Sequence, residues 1–164
     1  MQVMRKLSIL GFTISILLLA ACATTEEQMA RRAERAKQVA AALADRHYTI
    51  AVKMMHPMRG RSVHVSYGYE LKVKGDTLMS YLPYFGRAYA VPYGGGKGLH
   101  FTELISGYRS WKTKKGSTMV ELTTVNDEDS YYFMLEIFEN GNATVDVQMK
   151  QRDRVRYDGE MTEE

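Results

Sequence analysis

The chain has 164 residues, a single cysteine and a formal net charge of +3. This is about one domain's length of chain, with no second thiol for an intrachain disulfide and too little charge for a strongly basic nucleic-acid surface. The sequence pI of about 8.9 does not restore a nucleic-acid reading. Two of the cations, Arg5 and Lys6, lie in a removable leader, and without them the formal charge falls by two, from +3 to +1.

The leader comes first. After Arg5 and Lys6 an apolar run extends from Leu7 to Ala21, broken only by Ser8, Gly11, Thr13 and Ser15. A membrane-spanning helix needs about 20 apolar residues to cross a core of roughly 30 Å. This run is shorter and ends in small residues, the layout of a secretory signal peptide over residues 1–21. Leu19-Ala20-Ala21-Cys22 looks like a bacterial lipobox, in which the Cys22 thiol is acylated and the chain is cut just before it. Two or three acyl chains, at about 0.8 kcal/mol per buried CH₂, make a stable anchor where one would not. The expectation is a cell-envelope lipoprotein held to the membrane through Cys22. Ala23 is not the Asp that retains lipoproteins at the inner membrane in some bacteria. The expected site is therefore the outer membrane, on its periplasmic or surface face.

Residues 22–46 read as the acylated Cys followed by a helical stalk. Thr24 and Glu27 form a capping box, and the segment is rich in Ala, Arg, Glu and Gln. Met29, Ala33, Ala36, Ala40 and Leu43 make one narrow stripe. The stripe is mostly Ala and lacks Trp or Phe to insert into lipid. This favours a solvated stalk docking weakly on the domain over a helix lying on an anionic surface.

Residues 47–164 read as an antiparallel β domain. Ile50, Val52 and Met54 alternate with Ala51, Lys53 and Met55 up to Pro57, which cannot donate to a ladder. Val63, Val65, Tyr67, Tyr69, Leu71 and Val73 then face one way, opposite His64, Ser66, Gly68, Glu70, Lys72 and Lys74. The spacing predicts one half-buried strand with a wet side. Gly75-Asp76 turns the chain and Thr77 to Leu82 returns. Further on, Tyr108–Thr113 and Met119–Val125 flank a Lys114–Ser117 turn. Tyr131, Phe133, Leu135 and Ile137 share a face, as do Ala143, Val145, Val147 and Met149, and a last strand runs from Arg154 to Gly159. Asn140-Gly141 between them predicts a type I′ hairpin. Hairpins without crossover helices give a mainly β fold, an antiparallel meander curling into a half-barrel or barrel, with an N-terminal helix.

Pro83 to Gly98 does not fit the meander. A loop of this length is often functional. It carries Tyr84, Phe85, Tyr89 and Tyr93 with Arg87 and Lys97, and Tyr81 stands just before it. Tyrosine presents an apolar body and a polar tip, which suits a binding rim, a partner surface or a packed cap over an open barrel end. Tyr81, Tyr84, Phe85, Arg87, Tyr89, Tyr93 and Lys97 are the candidate ligand- or partner-binding residues.

Several of these segments resemble domain-of-unknown-function family 4251, a family of secreted proteins from anaerobic gut bacteria. The matching pieces are Pro57–Gly60, Gly75–Leu78, Ser80–Tyr89, Pro92–Leu99, Ile137-Phe138 and Asn140-Gly141. The resemblance implies an envelope lipoprotein with a β-rich domain and carries no catalytic residues.

Motifs for specific chemistry are thin. His47, His56, His64 and His100 include no i, i+4 pair, so no metal site is expected. No Gly-x-Ser-x-Gly elbow is present, and Ser80 and Ser110 have no His or Asp nearby in sequence. Glu103, Glu121, Glu136 and Asp146 could pair for glycoside chemistry but fit solvated strand faces better. Gly94-Gly95-Gly96-Lys97-Gly98 fails the P-loop pattern, with Val91 for the first Gly and Gly98 for the Ser or Thr. No cofactor or nucleic-acid partner is expected. The favoured function is a non-catalytic binding protein for an apolar or amphipathic envelope ligand, such as an acyl chain or glycolipid. The alternatives are a protein–protein module of an envelope complex and a hydrolase using strand carboxylates.

Overall fold

The computed structural model describes residues 25–89 and 98–162. The signal segment, Cys22, Thr24, Tyr93 and Lys97 lie outside the described residues. Two compact units divide the chain between Arg35 and Ala36. In the first, residues 25–35 are helical, and Arg31 meets Glu27 one turn earlier at 2.6 Å. Among the described residues, no helix is long and apolar enough to cross a membrane.

Among the described residues, the second unit holds helical residues 36–44 and ten strands. These are β1 (His47–Pro57), β2 (Val63–His64), β3 (Glu70–Lys74), β4 (Thr77–Leu82) and β5 (Leu99–Leu104), then β6 (Gly107–Lys112), β7 (Thr118–Val125), β8 (Ser130–Ile137), β9 (Asn142–Met149) and β10 (Val155–Thr162). The hydrogen-bonded order is β5-β4-β3-β1-β10-β9-β8-β7-β6, and β2 pairs only with β1. Every pairing is antiparallel. The first and last strands are neighbours in mid-sheet, and the two edges, β5 and β6, are consecutive in sequence. The meander is thus an up-and-down ring opened at one seam, which gives a curled half-barrel.

A side-chain bond spans the seam, the Thr124 hydroxyl donating to the Leu104 carbonyl at 2.8 Å, while the Ser106 N–H extends the β6–β7 pairing by donating to the Thr123 carbonyl at 2.8 Å. Inside, the Phe101 ring lies 4.5 Å from Tyr131, so the β5 edge packs against β8 across the interior. Ile50, Met55, Leu71, Leu78, Leu82, Leu99, Leu122, Tyr131, Phe133, Leu135, Ile137 and Tyr157 are all less than 2% exposed. Side chains fill the interior, as in small barrels generally.

Four local expectations shift. In the helix the buried positions are Val39 and Leu43, with Ala42 against them, and Ala40 is exposed. Burial follows the bulkier Val rather than the Ala beside it. In β1 the buried register moves from Val52 to Met55, because the pairing with β10 slips between Val52 and Met54. The strand expected from Val63 to Lys74 is cut in two. Gly68 adopts φ +99° in a turn, leaving Val63 and Tyr67 exposed while Leu71 and Val73 stay buried. The hairpin at Asn140-Gly141 forms, but not as type I′. Only Gly141 has a positive φ, +90°, and its N–H closes a turn on the Phe138 carbonyl at 2.9 Å. That is a longer loop ending in a glycine bulge.

Candidate functional site

The Pro83 loop starts where β4 and β5 part, at the Leu82↔Leu99 pair. The Tyr157 hydroxyl, from the interior side of β10, donates to the Pro83 carbonyl at 2.6 Å. Burial, helped by the neighbouring Tyr84, pushes the Tyr157 phenol far above its ordinary range. The next residue, Tyr84, folds back over the loop, its hydroxyl 3.0 Å from the Arg87 carbonyl and 3.1 Å from the Asp153 carbonyl. Gly86 makes that fold possible, since a Cβ there would overlap the Tyr84 hydroxyl.

The loop then pairs with the β9–β10 connection. Ala88 forms an antiparallel bridge with Arg152, flanked by Tyr89 N–H to the Gln151 carbonyl (2.7 Å) and Asp153 N–H to the Arg87 carbonyl (3.0 Å). The Tyr89 hydroxyl donates to Asp153 Oδ1 at 2.5 Å. That bond above all holds Asp153 below the usual carboxylate range, against the pull of burial; the Arg87 N–H and the charges of Arg59 and Arg87 add to it. The same bond and the Asp153 charge raise the Tyr89 phenol. The connection is itself anchored by Asp129, whose buried Oδ1 accepts the N–H groups of Ser130 (2.8 Å), Lys150 (2.9 Å) and Gln151 (3.1 Å).

Arg152 turns inward from this bridge. Its guanidinium is almost fully buried and meets Glu128 at 2.7 Å, the Tyr131 hydroxyl at 3.2 Å and the Gly98 carbonyl at 3.4 Å. Between the loop and the ends of β3, β4 and β5 lies a cleft of about 420 Å³. Leu82, Pro83, Phe85 and Leu99 give it apolar walls, Tyr69 and Tyr84 aromatic ones, and His100 and Arg152 a polar end. A second hollow of about 270 Å³ adjoins it on the sheet face, sharing His100 and bounded by Glu70 and Tyr81.

The sequence candidates therefore separate. Tyr84 and Phe85 line the main cleft. Arg87 and Tyr89 pin the loop to the β9–β10 connection. Tyr81 stands on the sheet face between Tyr69, stacked at 5.3 Å and 18°, and His100 at 4.3 Å. It remains 49% exposed there. Tyr69, His100, Leu82, Leu99 and Arg152 line the cleft without having been singled out for binding. A weak signal was available for two of them, as Leu82 and Leu99 flank the long loop directly.

The strand carboxylates are held one by one. Glu121 meets Arg109 at 2.6 Å, Glu136 accepts the Ser117 hydroxyl at 2.9 Å, and Asp146 pairs with Arg154 at 2.9 Å. Glu103 sits across from Leu78 on the β5 edge. Among the described residues, no group of three or more His, Cys, Asp or Glu side chains could hold a metal ion.

These features define a class: a curled antiparallel half-barrel with a filled interior and a cleft at its mouth. Residues 30–161 match the family model described as Domain of unknown function (DUF4251), and the chain belongs to that family. It is similar to the crystal structure of a DUF4251 family protein from Bacteroides eggerthii DSM 20697. The TM-score is 0.58 at 16% identity, over 77% of this chain and 86% of that one, a likeness of fold. No curated protein matches the chain.

Proposed function

We propose that the protein is a lipid-anchored component of the cell envelope that binds a small apolar or amphipathic molecule in the mouth cleft. The observation that supports this is the cleft itself, about 420 Å³ beside an interior already filled. Small-molecule sites span about 300–1,000 Å³ and combine apolar walls with a few polar groups. An apolar segment would lie against Phe85 and the half-buried rings of Tyr69 and Tyr84, over the buried Leu82, Pro83 and Leu99, and a polar head would face His100. Glu128 already neutralises Arg152. The head group favoured is therefore a hydrogen-bonding one, such as a hydroxyl or amide, rather than a free anion. A fluorescent fatty alcohol or monoacylglycerol titrated into the protein should bind saturably and lose affinity at least tenfold in Phe85→Asp. Absence of saturable binding, or equal affinity in the variant, would remove this cleft as the site.

The envelope placement rests on the Leu19–Cys22 motif. Intact mass spectrometry of the protein from host membranes should show acyl mass on Cys22. Cys22→Ala should release the protein from those membranes.

A second reading has its own support. Phe85 and Tyr89 are 63% and 70% exposed. Exposed aromatics on either side of Arg87 have the composition of an interface hot spot. Crosslinking in the native host should then capture a stoichiometric partner that Phe85→Ala or Tyr89→Ala releases.

A further inference from the structure

We propose that Ser62 is an activated nucleophile, set by His56 and Asp158 into a hydrogen-bonded Ser–His–Asp chain that accepts acyl groups from activated esters. The His56 ring stands between the other two. Its Nδ1 is 2.7 Å from Ser62 Oγ, and its Nε2 is 2.8 Å from Asp158 Oδ2. A carboxylate can only accept, so Nε2 carries the proton donated to Asp158. In the neutral ring that leaves the Nδ1 lone pair to take the proton of Ser62. Base, nucleophile and orienting acid thus have the roles of a catalytic triad, which is recognised by geometry and not by chain order.

Sheet register brings the three together. Met54↔His64 and Met55↔Val63 pair β1 with β2, and one further step places Ser62 across from His56. On the other side His56 lies opposite Arg156, and Asp158 is two residues along, on the same face. Met55 and Tyr157 are buried, so His56, Arg156 and Asp158 point to the solvent face. Thr144 Oγ1, at 3.5 Å, and Arg156 Nε, at 3.9 Å, steady the Asp158 carboxylate. Ser62 itself is exposed, in the connection between β1 and β2, where an incoming ester can reach it. An exposed position of this kind favours short acyl groups, which need little binding surface.

In the step proposed, Ser62 Oγ bonds to the acyl carbon as its proton passes to His56 Nδ1. The ester C–O bond breaks and the alcohol leaves with that proton. Water, deprotonated by His56, then attacks the acyl carbon, releasing the carboxylic acid and restoring the Ser62 hydroxyl. On an open face the enhancement expected is that of general-base assistance, about 10²–10⁴-fold. This activity is separate from ligand binding in the mouth cleft and survives or fails independently of it.

The test uses the full-length protein with a fluorophosphonate probe and with p-nitrophenyl acetate. One phosphonyl adduct per chain should map to Ser62, with fluoride as the leaving group. It should be absent in Ser62→Ala and form about 10²-fold more slowly in His56→Gln. Ester hydrolysis should fall by a similar factor in both variants, and Asp158→Asn should lower kcat more than it raises KM. Unchanged circular dichroism and Tm would tie the losses to chemistry. No adduct on Ser62, or equal hydrolysis by the wild type and Ser62→Ala, would overturn the proposal.

Discussion

Tyr89 and Asp153 are 64 residues apart in sequence and joined by a 2.5 Å hydrogen bond. With the Ala88–Arg152 bridge beside it, this bond fixes the first arm of the long loop over the end of the half-barrel. The wall of the cleft built by Pro83, Tyr84 and Phe85 is only as well placed as that attachment.

The attachment has a pH window. Asp153 titrates lower in the folded state than in an unfolded chain, mainly through the Tyr89 hydroxyl. Its contribution is therefore complete above the ordinary carboxylate pKa of about 3.9 and is lost as the pH falls through its lower folded value. Tyr89 is raised, so its contribution is complete below the ordinary phenol pKa of about 10 and is lost as the pH rises through its folded value. Amide exchange at Arg87 and Tyr89 should be slow between these limits and faster at either extreme. Tyr89→Phe should speed it at neutral pH and leave β8 and β9 unchanged. Equal protection in Tyr89→Phe would show that the backbone bridge alone holds the loop.

Arg152 and Glu128 form a buried ion pair. Removing one partner strands the other charge in the interior, a change that typically costs about 3–5 kcal/mol. Arg152→Ala should lower the urea midpoint accordingly. The double variant Arg152→Met/Glu128→Leu should recover part of the loss, because neither charge is then left buried. A double variant no more stable than Arg152→Ala would point instead to the Tyr131 and Gly98 hydrogen bonds as the main contribution of the guanidinium.

Gly159 sits where β1 and β10 slip register. A Cβ there would run into the Ala51 carbonyl oxygen, part of a backbone that cannot swing aside. Gly159→Ala should destabilise by about 1–3 kcal/mol, the usual cost of overpacking, read from equilibrium denaturation. A neutral result would mean that β1 can shift at its bulge to make room.

Much of this fold was legible because periodicity reports one-sided burial. Tyr131, Phe133, Leu135 and Ile137 were expected on one face and are all buried, and the half-barrel meander follows from hairpins of that kind. The failures have local causes. A period of two cannot reveal a bulge, so the alternation puts Met54 on the face of Ile50 and Val52, where the buried residue is Met55. Alternation also ran unbroken through Gly68, although a positive φ there ends the strand. The site was legible in part. A long aromatic loop marked Tyr84 and Phe85, but the rest of the cleft depends on register across distant strands. Arg152 reads as one more cation in a polar stretch until the fold places Glu128 beside it. Ser62, His56 and Asp158 have the same character, since only the pairing of β2, β1 and β10 makes them neighbours.

The Asn140-Gly141 hairpin offers a direct check on turn type. Only Gly141 occupies positive φ, so Gly141→Ala should cost about 1 kcal/mol or more. Asn140→Ala should cost less, losing chiefly the side-chain acceptor for the Asn142 N–H. Equal and large losses at both positions would indicate the type I′ geometry instead.

The most direct measurement of the ligand-binding proposal is native mass spectrometry of the full-length protein purified from its own host. The expected spectrum shows a bound mass of a few hundred daltons, consistent with a cleft of about 420 Å³, that disappears in Phe85→Asp and persists in Tyr81→Ala. A bare chain, or a bound mass indifferent to Phe85, would contradict a ligand in the mouth cleft and leave the exposed aromatic surface as the functional face.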